Sequence, residues 1–401
     1  MKHKRRWGAW LIGAYGAVST TAILGKLAIE KRLVSPLGMI TYLPFMKKIS
    51  LPPLSEILIG GTDIRSHSVE KTAWEIWEKD RLFSPTLLEE LSPYLKEEVE
   101  TCIVPGVSTE EDPSLSNQEA LDRIEKDILS FQKKNALDFV VVVNLASTTS
   151  PAPYLENFQE PEDLEKALQS GPSLPSSILY AFAALKNKMG YINFTPSPGT
   201  EIPSLSKLAL ANKVPHMGKD GKTGETLLKT VLAPLFASRN LEVLSWVGYN
   251  ILGNMDGKAL NEPDRKASKI QTKGASLAKL LPHQKPFHKV GIDYVPSLGD
   301  WKTAWDFIHF QGFLQTKMSL QFVWQGSDSM LAAPLVLDLI RLVCFSWQKG
   351  EFGPLVHLAS FFKNPLSFED HHFYHQYSLL EEYVARHSSS NSPPTSTASQ
   401  K

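Results

Sequence analysis

Residues 137–148 read LDFVVVVNLAST, a polar entry, then five apolar residues, then a small-residue turn. A continuous β-branched run of this kind belongs to a strand buried on both faces, as in a parallel sheet. Working outward, residues 115–135 carry helical spacing at Leu121, Ile124, Ile128, Leu129 and Phe131, and GYINFTP (190–196) is a second short strand. Toward the N-terminus, EILIGGTDI (56–64) is a strand ending in a turn. AWLIG (9–13) is another strand, followed by a glycine turn and a helix over 16–32. Strands alternating with helices predict an α/β fold with a doubly wound sheet.

From about residue 224 the character changes. A helix (224–238) precedes the strand LEVLSWVGYNILG (241–253). A polar, lysine-rich segment (256–279) leads to VGIDYVPSLGD (290–300), a helix near 301–309 and the alternating strand MSLQFVW (318–324). This reads as a second α/β unit, 224–325, inserted into a discontinuous first one, 1–223 and 326–386. SDSMLAAPLVLDLIRLVCFSW (327–347) reads as an apolar helix with Asp328 and Ser329 as N-terminal caps, and a second helix ends near Phe362–Lys363. The segment 387–401 is polar and Ser/Pro-rich and reads as a disordered tail.

The 401 residues carry 42 Lys+Arg and 42 Asp+Glu, so no global basic field draws in nucleic acid. Two cysteines, Cys102 and Cys344, supply neither a disulfide framework nor a metal cluster, and suit a reducing, cytoplasmic setting. The basic, then apolar start MKHKRRWGAWLIGAYGAVSTTAILG is open to reading as an export signal, or as strand, glycine turn and helix. Glycines, serines and threonines interrupt it, and no segment holds the roughly 18 uninterrupted apolar residues of a membrane span.

The stretch GKDGKTGETLLKTVLAPLF (218–236) looks like a P-loop. That motif needs a glycine five residues before Gly221, and His216 stands there; the nearer Gly218 has no hydrophobic strand before it. The turn GAYGAVSTT (13–21) places Gly13 and Gly16 at a helix start, as a pyrophosphate-binding turn requires, but with G-x-x-G spacing that also suits a glycine-softened helix. Asp63 follows a strand, where an acid takes ribose hydroxyls or forms an Asx turn. Lys269 and Lys273 share a helix face, Lys302 follows Gly-Asp, and Lys363 closes an apolar run. Each can be a solvated cation, or together they can hold phosphate and stabilise an enolate. Asp220, Asp256, Asp300 and Asp328 sit in turns. Such acids shape the turn, orient the lysines or ligate a divalent cation. The histidine-rich EDHHFYHQY (369–377) reads as a polar helix surface.

Together, the segments WLIGAYGAVSTT, GGTDI, NLAST, GKDGKTGETLLKTVLAPLF, YNILGNMDG, SKIQTK, VPSLGDWKTAWDF and SDSMLAAPLVLDL resemble the myo-inositol-1-phosphate synthase family, archaeal and bacterial type. The resemblance implies a Rossmann-like NAD-binding domain with an inserted catalytic and tetramerisation domain. It implies an NAD-dependent isomerase that cyclises glucose 6-phosphate to inositol phosphate by oxidation, enolisation, intramolecular aldol closure and re-reduction, in a cytoplasmic homotetramer without nucleic acid or membrane partners. By resemblance Lys269, Lys273, Lys302 and Lys363 are catalytic. Lys269 and Lys302 serve oxyanion stabilisation and proton transfer, Lys273 and Lys363 hold phosphate and sugar, and Asp220 belongs with them. Thr223 and Gly224 meet phosphate and cofactor. Gly13, Gly16, Ala17, Val18, Asp63, Ala146, Ser147, Thr148, Asp220, Asn254, Asp256, Asp300, Asp328 and Ser329 line the cofactor. The chain departs from the family at Lys219, where relatives carry an acid, which puts a divalent cation in doubt. Thr62 and Met255 depart too, standing for tryptophan and for a second asparagine. Alternatives that stay open are an NAD-dependent oxidoreductase with net hydride transfer to a phosphorylated polyol, a non-catalytic NAD-binding relative and, more weakly, a P-loop ATPase.

Overall fold

The computed structural model describes residues 5–150, 152–253, 277, 280, 281 and 283–389. The expectations for Asn254, Asp256, Lys269, Lys273, nearly all of 256–279 and the tail from 390 on lie outside the described residues, whereas 387–389, read as the start of that tail, end the helix Phe373–Ser389.

Seven parallel strands form the first sheet: β1 (Trp7–Ile12), β2 (Ile57–Asp63), β3 (Ile103–Pro105), β4 (Phe139–Asn144), β5 (Gly190–Asn193), β6 (Pro215–Gly218) and β11 (Gly353–Pro354). Their spatial order is β11-β6-β5-β4-β1-β2-β3. The chain winds outward from β1 to β3, then restarts at β4 on the other side of β1. That reversal makes a crevice at the carboxyl ends of β1 and β4, where open α/β sheets bind ligands. All six residues of β1 and of β4 are buried, as the apolar runs predict. From Trp7 on, that start is therefore an interior strand and the first helix of this sheet, and the strand–turn–helix reading holds for the described residues. Helix α1 (Ala17–Glu30) and the helix Asp328–Gln348 share one core with β1 and β4. The latter is the one described helix long and apolar enough to cross a membrane, and 78% of that apolar window is buried inside the fold.

The second sheet has the order β10-β9-β7-β8, with β7 (Glu242–Leu252) parallel to β8 (Phe287–Tyr294) and antiparallel to β9 (Trp301–Gln311), which pairs with β10 (Lys317–Ser327). The helix Glu225–Ser238 covers its inner face, where Ala233 and Phe236 share a cluster with Trp246 and Ile308.

Four expectations are corrected. The segment 301–309 is strand, not helix: Ala304, Asp306 and Ile308 are buried while Trp301 and Trp305 are exposed, the period-two pattern of a half-covered strand. The Gly-Asp ahead of it resembled a helix start. Asp300 does accept a helix N-terminal N–H, but that of Ser329, 29 residues on. The cap of the helix Asp328–Gln348 is Ser327, which accepts the Met330 N–H at 3.2 Å, not Asp328 or Ser329. A buried strand, β6, does run into Gly218; Pro215 and His216 hid it. Finally, the helix expected to end near Phe362–Lys363 is a short 3₁₀ turn, Val356–Phe361.

Candidate functional site

At the crevice, Gly13 has φ +81°, which a side chain would strain, and a Cβ there would lie 3.0 Å from Ala146 Cα. The turn after β1 and the turn after β4 thus touch backbone to backbone. Gly13 and Ala14 both donate to the Thr62 carbonyl, at 2.9 and 3.0 Å, which ties in the end of β2. Helix α1 starts at Gly16 with no side-chain cap and no acid in its first turn. Its first N–H groups, at Ala17 and Val18, are therefore available to an anion. Asp63 is buried and accepts from the Tyr15 N–H at 2.9 Å and from Arg65. Ser147 is exposed and Thr148 half-buried beside Ala146. These features suit a dinucleotide diphosphate lying across the turn.

The loop after β6 is laced to a segment near the C-terminus. Lys219 and Asn364 exchange backbone hydrogen bonds at 2.8 and 3.2 Å, Lys363 N–H donates to the Asp220 carbonyl at 2.7 Å, and Lys222 N–H to the Phe361 carbonyl at 2.8 Å. This lacing brings Lys363 Nζ to 2.7 Å from Asp220 Oδ1. Thr223 is half-buried, and Gly224 caps the helix Glu225–Ser238 with no side-chain cap.

Lys302 stands on β9 two residues before Ala304, so it shares the inner face of the second sheet with Ala304, Asp306 and Ile308. Across β10, Trp324 pairs with Ala304 and Gly326 with Lys302. A Cβ on Gly224 would lie 3.2 Å from Trp324 Nε1. The start of the Glu225–Ser238 helix and Lys302 therefore sit on one face of one sheet. Lys302 Nζ is 3.8 Å from Asp328 Oδ1. Asp300 is buried, accepts from Ser329 N–H (3.0 Å), Ser329 Oγ (2.8 Å) and Ser327 Oγ, and its pKa is raised, chiefly by burial. It fixes the helix start that carries Asp328.

The family model for myo-inositol-1-phosphate synthase matches residues 7–385. The chain belongs to that family. Among relatives in the family, inositol-3-phosphate synthase 1 of Bacteroides thetaiotaomicron is 32% identical over 394 residues, covering 92% of this chain and 91% of that one. Inositol-3-phosphate synthase of Dictyostelium discoideum is 30% identical over 76% of this chain, which spans only 62% of that longer relative. The same fold appears in solved structures of Caenorhabditis elegans inositol-3-phosphate synthase (TM-score 0.83, 24% identity, 96% of this chain and 86% of that one) and of a Thermotoga maritima myo-inositol-1-phosphate synthase-related protein (0.77, 23%, 95% and 99%).

Of the four lysines that the synthase family resemblance marks, Lys302 and Lys363 are described, and each stands beside a carboxylate. Gly13, Gly16, Ala17, Val18, Asp63 and Ala146 come together at the crevice, and Asp300, Asp328 and Ser329 with Lys302. Lys219, in the acid's place, pairs with Glu201 at 2.6 Å, so it has its own counter-ion apart from the Asp220–Lys363 pair.

Sequence reasoning missed several polar groups. Lys222 turns inward to Gln376 Oε1, over the Phe373 ring, and burial lowers its pKa to about 7. Lys229 Nζ is 2.5 Å from Glu225 Oε1 and 3.5 Å from Asp306 Oδ1, all three buried, with Trp246 Nε1 donating to Asp306 at 2.6 Å. Burial holds Asp306 well above the ordinary carboxylate range. Only glycine fits at 248, since a Cβ would lie 2.8 Å from Glu225 Oε1 and 3.0 Å from Asp306 Oδ1. Asn250, on the same face, is buried and has no hydrogen-bond partner for its amide among the described residues. The spacing Glu225–Lys229 was the available signal for the buried pair; nothing in the sequence marked Asn250. Asp370, His372 and His375 place donor atoms within 4.8 Å of one another, with His375 Nδ1 already 2.6 Å from Asp370 Oδ2.

Proposed function

We propose that this chain is an NAD-dependent inositol-3-phosphate synthase acting on glucose 6-phosphate, as a cytoplasmic homotetramer. Its membership of the family along 7–385 supports the activity, and the placement of two lysines beside carboxylates carries the site. NAD would be held across the Gly13–Gly16 turn by the first N–H groups of α1 and by Asp63, and would supply reversible hydride acceptance at C5 of the open-chain sugar. The chain's own groups do the rest. Backbone N–H groups at Thr223 and Gly224, at a helix start, suit the sugar phosphate. Lys363 holds phosphate and sugar, and Asp220 fixes its ammonium by a charge-assisted hydrogen bond. Lys302 stabilises the developing enolate oxygen, oriented by Asp328. Lys269 and Lys273 complete the cation set by resemblance. Tetramerisation through the second sheet is supported by its edge strand, where Met318, Leu320 and Val323 are exposed. Both cysteines are free, which suits a reducing compartment.

The test is incubation of the full chain with glucose 6-phosphate and a catalytic amount of NAD, with and without chelator, followed by mass and chirality of the product. Inositol monophosphate with no net NADH is the expected result. Stoichiometric NADH without inositol phosphate would replace this reading by a net oxidoreductase. Loss of turnover with chelator would add a divalent cation.

A further inference from the structure

Between β6, the helix Pro203–Ala211 and the segment that follows Lys363 lies a cavity of about 340 Å³. Successive residues of a strand face opposite ways, so while Met217 packs into the core with α1, His216 lines this cavity. His216 is 1% exposed, and neither of its ring nitrogens has a hydrogen-bond partner among the described residues. Thr200, on the same cavity and also 1% exposed, has a hydroxyl in the same condition. Burying such groups unpaired costs about 1–3 kcal/mol each, so a fold keeps them where a ligand or ordered water completes them. Burial lowers the His216 pKa to about 4, so near neutral pH its ring is uncharged and offers one donor and one acceptor. The Thr200 hydroxyl also offers both, and Ser206 and Asn364 add a hydroxyl and an amide to the wall. The two charged side chains of the lining, Lys219 and Glu201, neutralise one another at 2.6 Å and stand over a quarter exposed at the mouth. The lining thus carries donors and acceptors together and no net charge. An anion or a cation would have to break the Lys219–Glu201 pair, and an apolar guest would leave His216 and Thr200 unpaired. Neighbouring hydroxyl groups, each donating and accepting, satisfy both conditions. The volume falls at the small end of the roughly 300–1,000 Å³ of ligand sites, which fits one sugar-sized molecule.

We propose that this cavity is a second ligand site, for one small uncharged polyol, with His216 and Thr200 on its floor. The site goes beyond the synthase reading and does not rest on it. It is separate from the place of the sugar phosphate but adjacent to it. Lys219 and Asn364, which line the cavity and exchange backbone hydrogen bonds, are each one residue from the paired Asp220 and Lys363. A polyol here touches the backbone that frames the Lys363 ammonium, whereas Asp220 and Lys363 themselves lie outside the lining.

Calorimetric titration of the full chain, freed of copurifying ligand and without NAD, with myo-inositol and separately with D-glucitol tests this directly. The expected result is one polyol per chain with a Kd below about 1 mM. Thr200→Val keeps the volume and removes the hydroxyl, and should weaken binding about ten-fold. His216→Phe removes both ring nitrogens and should weaken it at least as much. Circular dichroism melting confirms that each variant folds, and Thr200→Val carries the test if His216→Phe does not. Lys363→Met should bind the polyol as the native chain does, and inorganic phosphate should not displace it. Binding of neither polyol below about 1 mM would mean a cavity that holds water only, and overturns the proposal. Binding unmoved by Thr200→Val overturns it as well. Displacement by phosphate, or loss in Lys363→Met, would place the polyol at the sugar phosphate site and also overturn it. Each of these results leaves the synthase reading standing, because the polyols carry no phosphate and no turnover is measured.

Discussion

Replacing Lys229 with methionine should unbalance the buried charges beneath the second sheet. Methionine fills much the same volume, so the change isolates the charge. Lys229 faces Glu225 at 2.5 Å and Asp306 at 3.5 Å, and all three side chains are at most 2% exposed. Breaking a buried pair by removing one partner costs about 3–5 kcal/mol, because the remaining charge is left unsolvated. Two carboxylates would remain here, with Gly248 packed against them. They can escape by taking up a proton. Asp306, already held above the ordinary carboxylate range by burial and losing the cation that lowers it, is the group that takes up the proton, and the loss expected at pH 7 stays within that range of about 3–5 kcal/mol. The escape becomes cheaper with acid, so the deficit should be smaller near pH 5.5 than at pH 7. Urea unfolding at both pH values measures it. Trp246, hydrogen-bonded to Asp306, reports the event by fluorescence. Combining Lys229→Met with Glu225→Gln and Asp306→Asn should recover most of the loss. A deficit below about 1 kcal/mol at pH 7, or one that does not shrink on acidification, would refute this account of the cluster.

Lys363→Met should lower turnover by about a thousand-fold or more while NAD affinity stays within a few-fold; equal losses in both would place Lys363 on the cofactor instead. Gly13→Ala should weaken NAD binding more than ten-fold and lower the melting temperature, because it forces a side chain to φ +81° against Ala146; unchanged affinity would remove the turn from the cofactor site. Asp338, buried and accepting from Ile40 N–H (2.6 Å) and Thr41 N–H (3.1 Å), has its pKa pushed up to about 6 by burial. Its folded pKa lies above the unfolded one, so the stability it contributes is complete below about pH 4 and lost as pH rises through 6, by about 3 kcal/mol in all. Asp338→Asn should flatten that part of the urea midpoint–pH curve, and an unchanged slope would refute it. Lys219→Ala, removing a pair in which both side chains are over a quarter exposed, should change stability by less than about 1 kcal/mol.

The parts of this molecule legible in its sequence are those set by local pattern. The valine run 140–143 announced a strand buried on both faces, and the glycines at 13 and 16 announced a turn into a helix. Strand β6 was hidden because four residues with a proline and a histidine carry no periodicity; its burial comes from β5 and β11 on either side. Strand β9 was misread because Gly-Asp ahead of Trp301 looks like a helix start, while the residue that decides its inner face, Asp306, needs Lys229 to be tolerable there. Side-chain partners were least legible of all. Lys222 turns inward only because Gln376, 154 residues away, waits for it, and Lys363 meets Asp220 across 143. Asp63 was visible as an acid after a strand, but its own neighbour Arg65, two positions on, takes up its lone pairs.

The lacing of residues 218–222 to 361–366 has a consequence for synthesis. During translation the six strands from β3 to β6 can pair as soon as β6 emerges, and the glycine turn after β1 has its neighbours by then. Strand β6 at that moment is an open edge, a template for wrong pairing with another chain. It stays open until Gly353 and Pro354 leave the ribosome, and the loop beyond it has no frame until residues 361–366 follow. The dinucleotide crevice is thus laid down early, whereas the ammonium of Lys363 arrives only with the last tenth of the chain. A nascent or prematurely stopped chain can present the first without the second.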